Sequence, residues 1–249
     1  MPRSEFRMQR LYLDSAMAEG MRIEADRAQA NYLLNVLRMK DGEELLVFNG
    51  RDGEWRAEVH STGRKACDLV LTELIREQVE TPDLHYLFAP IKTNRLDYMA
   101  QKAVEMGAGR LRPVTTHHTQ FPKLNISKVE ANVLEACEQC GVIHIPTVDE
   151  LQPLKNVLAR WKETDPNRTL IFCDEGEETQ NPLEALAKVE RGPLAVLIGP
   201  EGGFSEEERA LLRSQDFVVP MPLGPRVLRA DTAAVAAMAV VQAKLGDWF

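Results

Sequence analysis

Two segments set glycine, proline and a few charged residues at spacings suited to holding a ligand. The first, Gly199-Pro200-Glu201-Gly202-Gly203-Phe204, follows the apolar run LAVLI and opens onto Ser205, with Glu208 three residues on. That S-x-x-E spacing predicts a capping box and hence a helix start. The second, Leu223-Gly224-Pro225-Arg226-Val227-Leu228-Arg229-Ala230-Asp231, follows FVVPMP and precedes another helical stretch, which Asp231 or Thr232 is expected to cap. Glycines at a strand end allow positive φ and let a ligand approach the main chain. No Lys-Ser/Thr pair follows either loop, and neither is a G-x-G-x-x-G turn, so phosphate cradling is disfavoured. Arg226 stands in an otherwise apolar loop, where its planar fork suits a phosphate or an oxygen gathering negative charge.

Other constellations carry less. His117 and His118 are adjacent, so on a strand they face opposite ways and do not share a metal. Cys137-x-x-Cys140 lies in a helical stretch with no second ligand pair, which favours small thiols over zinc. No G-x-S-x-G elbow is present, and no metal is expected.

These loops need a scaffold, and the sequence supplies two rhythms. From Arg10 to about Ile75, the β-like stretches EELLVFNG, EWRAEVHS and CDLVLTELI are separated by Asp-Gly and Asn-Gly turns, a pattern that reads as a small β-barrel over residues 1–75. A helix is expected from Asp26 to Met39, with Ala28, Leu33, Val36 and Leu37 as its apolar stripe. The polar segment 76–83, REQVETPD, reads as a linker. Over 84–249, apolar runs alternate with helical segments, which predicts an α/β domain with a parallel sheet covered by helices on both faces. Ligands bind such sheets at the C-terminal ends of strands, where the two loops fall. The last helix, AAVAAMAVVQAKL, is apolar on nearly every side and is expected to be buried, between subunits.

Composition bounds the partners. The chain has 249 residues, is 44% hydrophobic and carries a net charge of −8, which argues against coating nucleic acid through bulk electrostatics. Local basic patches remain, at Arg3, Arg7 and Arg10 beside Phe6 and Tyr12, and at Arg38 and Lys40. No apolar run is long enough to span a membrane and the N-terminal residues do not resemble a signal peptide, so a cytoplasmic address is expected. The four cysteines are too few and too scattered for a disulfide framework.

LIGPEGGFSEEE followed by LGPRVLRADTAA resembles the signature of the RsmE-type ribosomal RNA methyltransferases of the SPOUT superfamily. YLLNVLRMKDGE, a strand-end Lys92, QKAVEMG and EACEQCG extend the resemblance, in the same order, over nearly the whole chain. The resemblance implies a PUA-like barrel for RNA, then a trefoil-knotted α/β domain that binds S-adenosylmethionine, acting as a homodimer without metal. It further implies methylation at N3 of uridine 1498 in 16S rRNA within the 30S subunit. Cofactor contacts are then expected from the strand end at Cys173 to Glu175, from Gly199, Gly202 and Gly203, and from Leu223, Gly224, Val227 and Leu228. Arg226 is expected to stabilise charge on the uracil, with Glu201 or Asp231 as base or positioning group, and Arg3, Arg10, Arg38, Lys92 and Lys102 to face RNA. The chain departs from the common pattern at Val142 and His118, where many members have arginine, and at Asp231, where the usual residue is glutamate.

Overall fold

Alternating apolar residues between Glu44 and Arg76 place Leu45, Val47, Ala57, Val59, Leu69 and Leu71 on one face, and that face is the core of the N-terminal unit. A computed structural model describes residues 8–174 and 181–248, so Arg3 and Glu175 lie outside the described residues. The chain divides into two compact units, residues up to 80 with 137–145, and residues 81–136 with 146–249. Segment 137–145, which the linear reading assigned wholly to the C-terminal domain, therefore packs with the first unit.

In that unit run β1 (Arg10–Tyr12), β2 (Arg22–Glu24), α1 (Arg27–Asn31), β3 (Glu44–Phe48), β4 (Glu54–Gly63) and β5 (Ala66–Arg76), with sheet order β1-β3-β4-β5-β2 among the described residues. β1 pairs parallel to β3 and the other pairs are antiparallel. Asp26 caps α1 through its side chain, and Gln29 returns a bond to the Asp26 backbone N–H. The expected helix does not continue in α form: Tyr32–Val36 winds as a π-helix, with the Leu37 N–H donating to the carbonyl of Tyr32 five residues back. Ala30 and Leu33 are buried and Leu37 is half-buried, whereas Ala28 and Val36 are exposed, which corrects the predicted stripe at those two positions.

Arg10 also departs from expectation. Its side chain is only 4% exposed and its Nε lies 2.9 Å from Glu54 Oε1, while Arg76 holds the other Glu54 oxygen at 2.7 Å. A guanidinium consumed by a fully buried carboxylate has none of its donors facing a phosphate, so Arg10 is a structural residue and not an RNA contact. The EACEQCG segment serves the same cluster: Glu138 accepts from the Tyr12 N–H at 2.9 Å and the Gly141 carbonyl accepts from Arg76 at 2.9 Å. Gly141 is needed there, since its φ is +68° and a Cβ would sit 3.3 Å from the Arg10 guanidinium.

The second unit contains β6 (Leu84–Phe88), α2 (Thr93–Glu105), β7 (Arg110–Thr115), α3 (Ile126–Cys140, whose last turn belongs to the first unit), β8 (Thr147–Val148), β9 (Gln152–Pro153), α4 (Leu154–Ala159) and α5 (Trp161–Thr164). After these come β10 (Thr169–Cys173), α6 (Pro182–Leu186), β11 (Leu194–Ile198), α7 (Glu206–Arg213), β12 (Val218–Met221) and α8 (Ala230–Leu245). The sheet is parallel throughout, in the order β12-β10-β11-β6-β7-β8 with β9 on β7. This is the α/β architecture the alternation predicted. β6 and β11 are buried along their whole length, which is why both read as near-continuous apolar runs, broken only by His85 in β6.

The final helix is only partly as expected. Ala234, Ala237, Met238, Val241 and Leu245 are buried within this chain, whereas Val235, Ala236, Ala239 and Val240 on the other face are half-buried. Buried Gln242 ties α8 to the end of α2 by donating to the Met106 carbonyl at 2.8 Å.

Tyr86 in β6 is fully buried and its hydroxyl has no hydrogen-bond partner among the described residues. Burial raises its phenol pKa well above the ordinary value. A buried unsatisfied hydroxyl costs about 1–3 kcal/mol, so Tyr86→Phe is expected to stabilise the protein by about 1 kcal/mol in urea denaturation. A destabilised variant would show that the hydroxyl has a partner in solution.

Candidate functional site

β12, β10 and β11 are neighbours in the sheet, so the loops that leave their C-terminal ends meet. They enclose a cavity of about 450 Å³ lined by Cys173 and Asp174, by Gly199 to Glu201 with Gly203 and Phe204, and by Leu223 to Leu228. Ile198, Arg209, Ala230 and Ala233 complete the lining.

The β11 loop is shaped by its glycines. The Gly203 N–H donates to the Pro200 carbonyl at 2.9 Å and Gly203 takes φ +66°, which turns the chain back. Phe204 then drives its ring into the core edge-on to Phe172, at 5.0 Å between centroids. The ring passes so close to Gly199 that a Cβ there would lie 2.7 Å from it. Ser205 caps α7 in the capping box the sequence predicts, with Glu208 Oε2 accepting from the Ser205 N–H at 2.9 Å. The other Glu208 oxygen accepts from the His117 N–H at 2.8 Å, fastening the β7 loop to the same turn. Gly202 packs there against His118, where a Cβ would come within 3.0 Å of the imidazole-bearing carbon, and it does not line the cavity.

The β12 loop is more open. Gly224 has φ +84° and nothing within 4 Å of where a Cβ would stand. Arg226 lines the cavity, is exposed and has no carboxylate partner among the described residues, and Val227 is 80% exposed. Asp231 is not in the lining and does not cap α8; Arg229 holds the cap position without a side-chain bond. Instead Asp231 receives both ends of a guanidinium: Arg95 Nε donates to Oδ2 at 3.0 Å and Nη2 to Oδ1 at 2.8 Å. The remaining nitrogen, Nη1, donates to Glu201 Oε1 at 2.6 Å.

The RNA methyltransferase domain family matches residues 79–242, and the RNA methyltransferase PUA domain family matches residues 25–72. Ribosomal RNA small subunit methyltransferase E of Rickettsia conorii is 30% identical over 235 residues, 94% of either chain. The chain belongs to the ribosomal RNA small subunit methyltransferase E family. A methyltransferase from Legionella pneumophila, solved in complex with its cofactor SAM, superposes with a TM-score of 0.82 at 30% identity, covering 95% of this chain and 98% of that one. The ribosomal RNA small subunit methyltransferase E of Neisseria gonorrhoeae, bound to S-adenosyl methionine, has the same fold, with a TM-score of 0.86 at 23% identity over 98% and 100% of the two chains.

Within this methyltransferase family member, the carboxylates around the cavity are unequal. The Arg95 guanidinium holds the Asp231 carboxyl below the usual carboxylate range, so Asp231 stays ionised throughout the neutral region. Asp174 is held by Arg209, and by Arg213 at 3.0 Å. Burial pushes the Cys173 thiol up, which leaves it apolar and unreactive in the wall. Arg95 escaped the sequence reading because its partners lie 106 and 136 residues away, and nothing local marks it.

The remaining predicted residues scatter. Lys92 is exposed beside the start of α2 and Arg38 is exposed at φ +58°. Lys102 does not offer a free charge: its Nζ lies 2.5 Å from Glu105 and 5.4 Å over the Tyr98 ring. Cys137 is buried, its thiol pushed up to about 12, and no cluster able to hold a metal occurs among the described residues.

Proposed function

We propose that the chain transfers the methyl group of S-adenosylmethionine to N3 of a uridine in the 16S rRNA of the small ribosomal subunit, uridine 1498 by the family resemblance. The observation that carries the reading is the cavity at three adjacent strand ends, with the guanidinium of Arg226, which has no carboxylate partner among the described residues, at its wall. Its volume of about 450 Å³ is in the range of small-molecule sites. The lining combines Gly199, Leu223 and Gly224 with apolar side chains at Ile198, Leu228 and Ala233, a surface suited to the adenine ring of the cofactor. The cofactor, when bound, supplies an already activated methyl on a sulfonium.

The chain's own residues then do two things. They hold the uracil edge in line with that methyl, and they favour loss of the N3 proton while charge spreads to the uracil oxygens. Arg226 donates to one of those oxygens, a contact that strengthens as charge develops. Exposed Arg38 and Lys92 are proposed as backbone contacts to RNA. The apolar outer face of α8, at Val235, Ala236, Ala239 and Val240, is proposed as the homodimer seam.

Calorimetric titration with S-adenosylmethionine, followed by transfer of labelled methyl to unmethylated 30S subunits, tests the reading. Micromolar one-site binding and label in 16S rRNA are expected. Folded protein that binds no S-adenosylmethionine would make the chain a non-catalytic RNA-binding protein, and label on a ribose oxygen would change the reaction.

A further inference from the structure

Among the described residues, the carboxylates of Asp174, Glu201 and Asp231 stand at the cavity or directly behind it, and they differ in what they have left to offer. Both oxygens of Asp174 are engaged by Arg209 and Arg213. Both oxygens of Asp231 are engaged by Arg95, and Oδ1 also accepts from the Thr232 N–H at 3.0 Å. Glu201 lines the cavity and gives one oxygen, Oε1, to Arg95; its Oε2 has no partner among the described residues. The carboxylate is 34% exposed, within reach of a substrate at the cavity mouth.

Resting on the reading above, we propose that Glu201 Oε2 is the acceptor of the uridine N3 proton and that Arg95 is the positioning residue that aims it. A side chain with two free oxygens and several rotatable bonds samples many orientations. Bound through Oε1 to a guanidinium that is itself fixed in a fork on Asp231, Glu201 keeps one oxygen and one direction. Arg95 thus links the β11 loop, the start of α8 and the start of α2 through three bonds of 2.6 to 3.0 Å. In the step itself the N3–H bond breaks and its proton passes to Glu201 Oε2. The N3 electron pair forms the bond to the methyl carbon, and the carbon–sulfur bond breaks with its pair left on sulfur. The products are N3-methyluridine, the thioether and a protonated Glu201 that releases its proton to solvent. Asp231 acts only as an anchor for Arg95.

The test uses the full chain with 30S subunits carrying uridine or 5-fluorouridine, whose electron-withdrawing substituent makes N3–H more acidic. Glu201→Gln, which preserves shape, is expected to bind S-adenosylmethionine within about threefold of wild type and to lose about 10²- to 10⁴-fold in kcat, the range for a general base. Its remaining rate should rise with pH where the wild-type rate is flat, and 5-fluorouridine should recover most of the loss. Arg95→Gln should show a smaller defect, about tenfold, that 5-fluorouridine also narrows; a merely structural Arg95 would give the same defect on both substrates. Arg95→Gln combined with Asp231→Asn should be no worse than the poorer single variant. If Glu201→Gln misfolds, Glu201→Asp is measured in its place and should show the same selective recovery. Wild type that makes N3-methyluridine while Glu201→Gln keeps its rate overturns the proposal and leaves the proposed function standing. Wild type that makes no N3-methyluridine overturns both.

Discussion

Arg226→Ala is expected to cut methyl transfer by about 100-fold or more while the affinity for S-adenosylmethionine stays within about threefold. The asymmetry follows from where Arg226 stands. It lines the cavity on the exposed β12 loop, and its guanidinium is spoken for by no carboxylate among the described residues. A donor aimed at charge that develops only during reaction contributes to the transition state and little to ground-state binding; losing one such donor typically costs about 10²–10³ in kcat. Isothermal titration and single-turnover transfer on the same preparation check both halves. Equal losses in the two would make Arg226 a residue that shapes the β12 loop.

Gly199→Val should fail at the earlier step. A Cβ at Gly199 would meet the Phe204 ring at 2.7 Å, and that ring cannot step aside because it is only 5% exposed and packed on Phe172. The strain of such overpacking, about 1–3 kcal/mol, falls on the loop that forms one wall of the cavity. Affinity for S-adenosylmethionine should drop roughly 10- to 100-fold, at about 1.4 kcal/mol for each factor of ten. Gly224→Ala is the contrast. No atom stands in the way there, and only the backbone cost of φ +84° applies, about 1–2 kcal/mol. Calorimetry on the three proteins separates the two causes, and a Gly199→Val variant that binds as wild type would show that the Phe204 ring yields.

The loops were legible because their chemistry is local. Glycine, proline and a capping pair within ten residues announce a strand-to-helix turn, and Ser205 and Glu208 form the box that their spacing implies. The parallel sheet was equally legible, since β6 and β11 are buried on both faces and carry no polar alternation to mislead. What escaped depended on distance along the chain. Arg10 reads as a basic patch next to Arg3 and Arg7, and only the fold brings Glu54 against it, 44 residues away. Arg95 reads as one charge among many on α2, and its two partners come from separate loops of the cavity. The π-winding after Asn31 was hidden for a different reason: nothing in the apolar spacing of YLLNV separates it from an α-helix.

These hidden contacts change how the site is read. Sequence alone left Glu201 and Asp231 as equal candidates, whereas the fork of Arg95 on Asp231 and its single bond to Glu201 make them unlike. The same logic removes Gly202, turned toward His118, from the cavity while retaining Gly199 and Gly203.

The most direct test of the proposed reaction is mass-spectrometric mapping of modified nucleosides in 16S rRNA from a strain lacking this gene, before and after 30S subunits are incubated with the purified protein and S-adenosylmethionine. N3-methyluridine absent beforehand and restored at a single uridine by the protein is the predicted result. N3-methyluridine present in the deletion strain, or a methyl restored on any other atom, would contradict it.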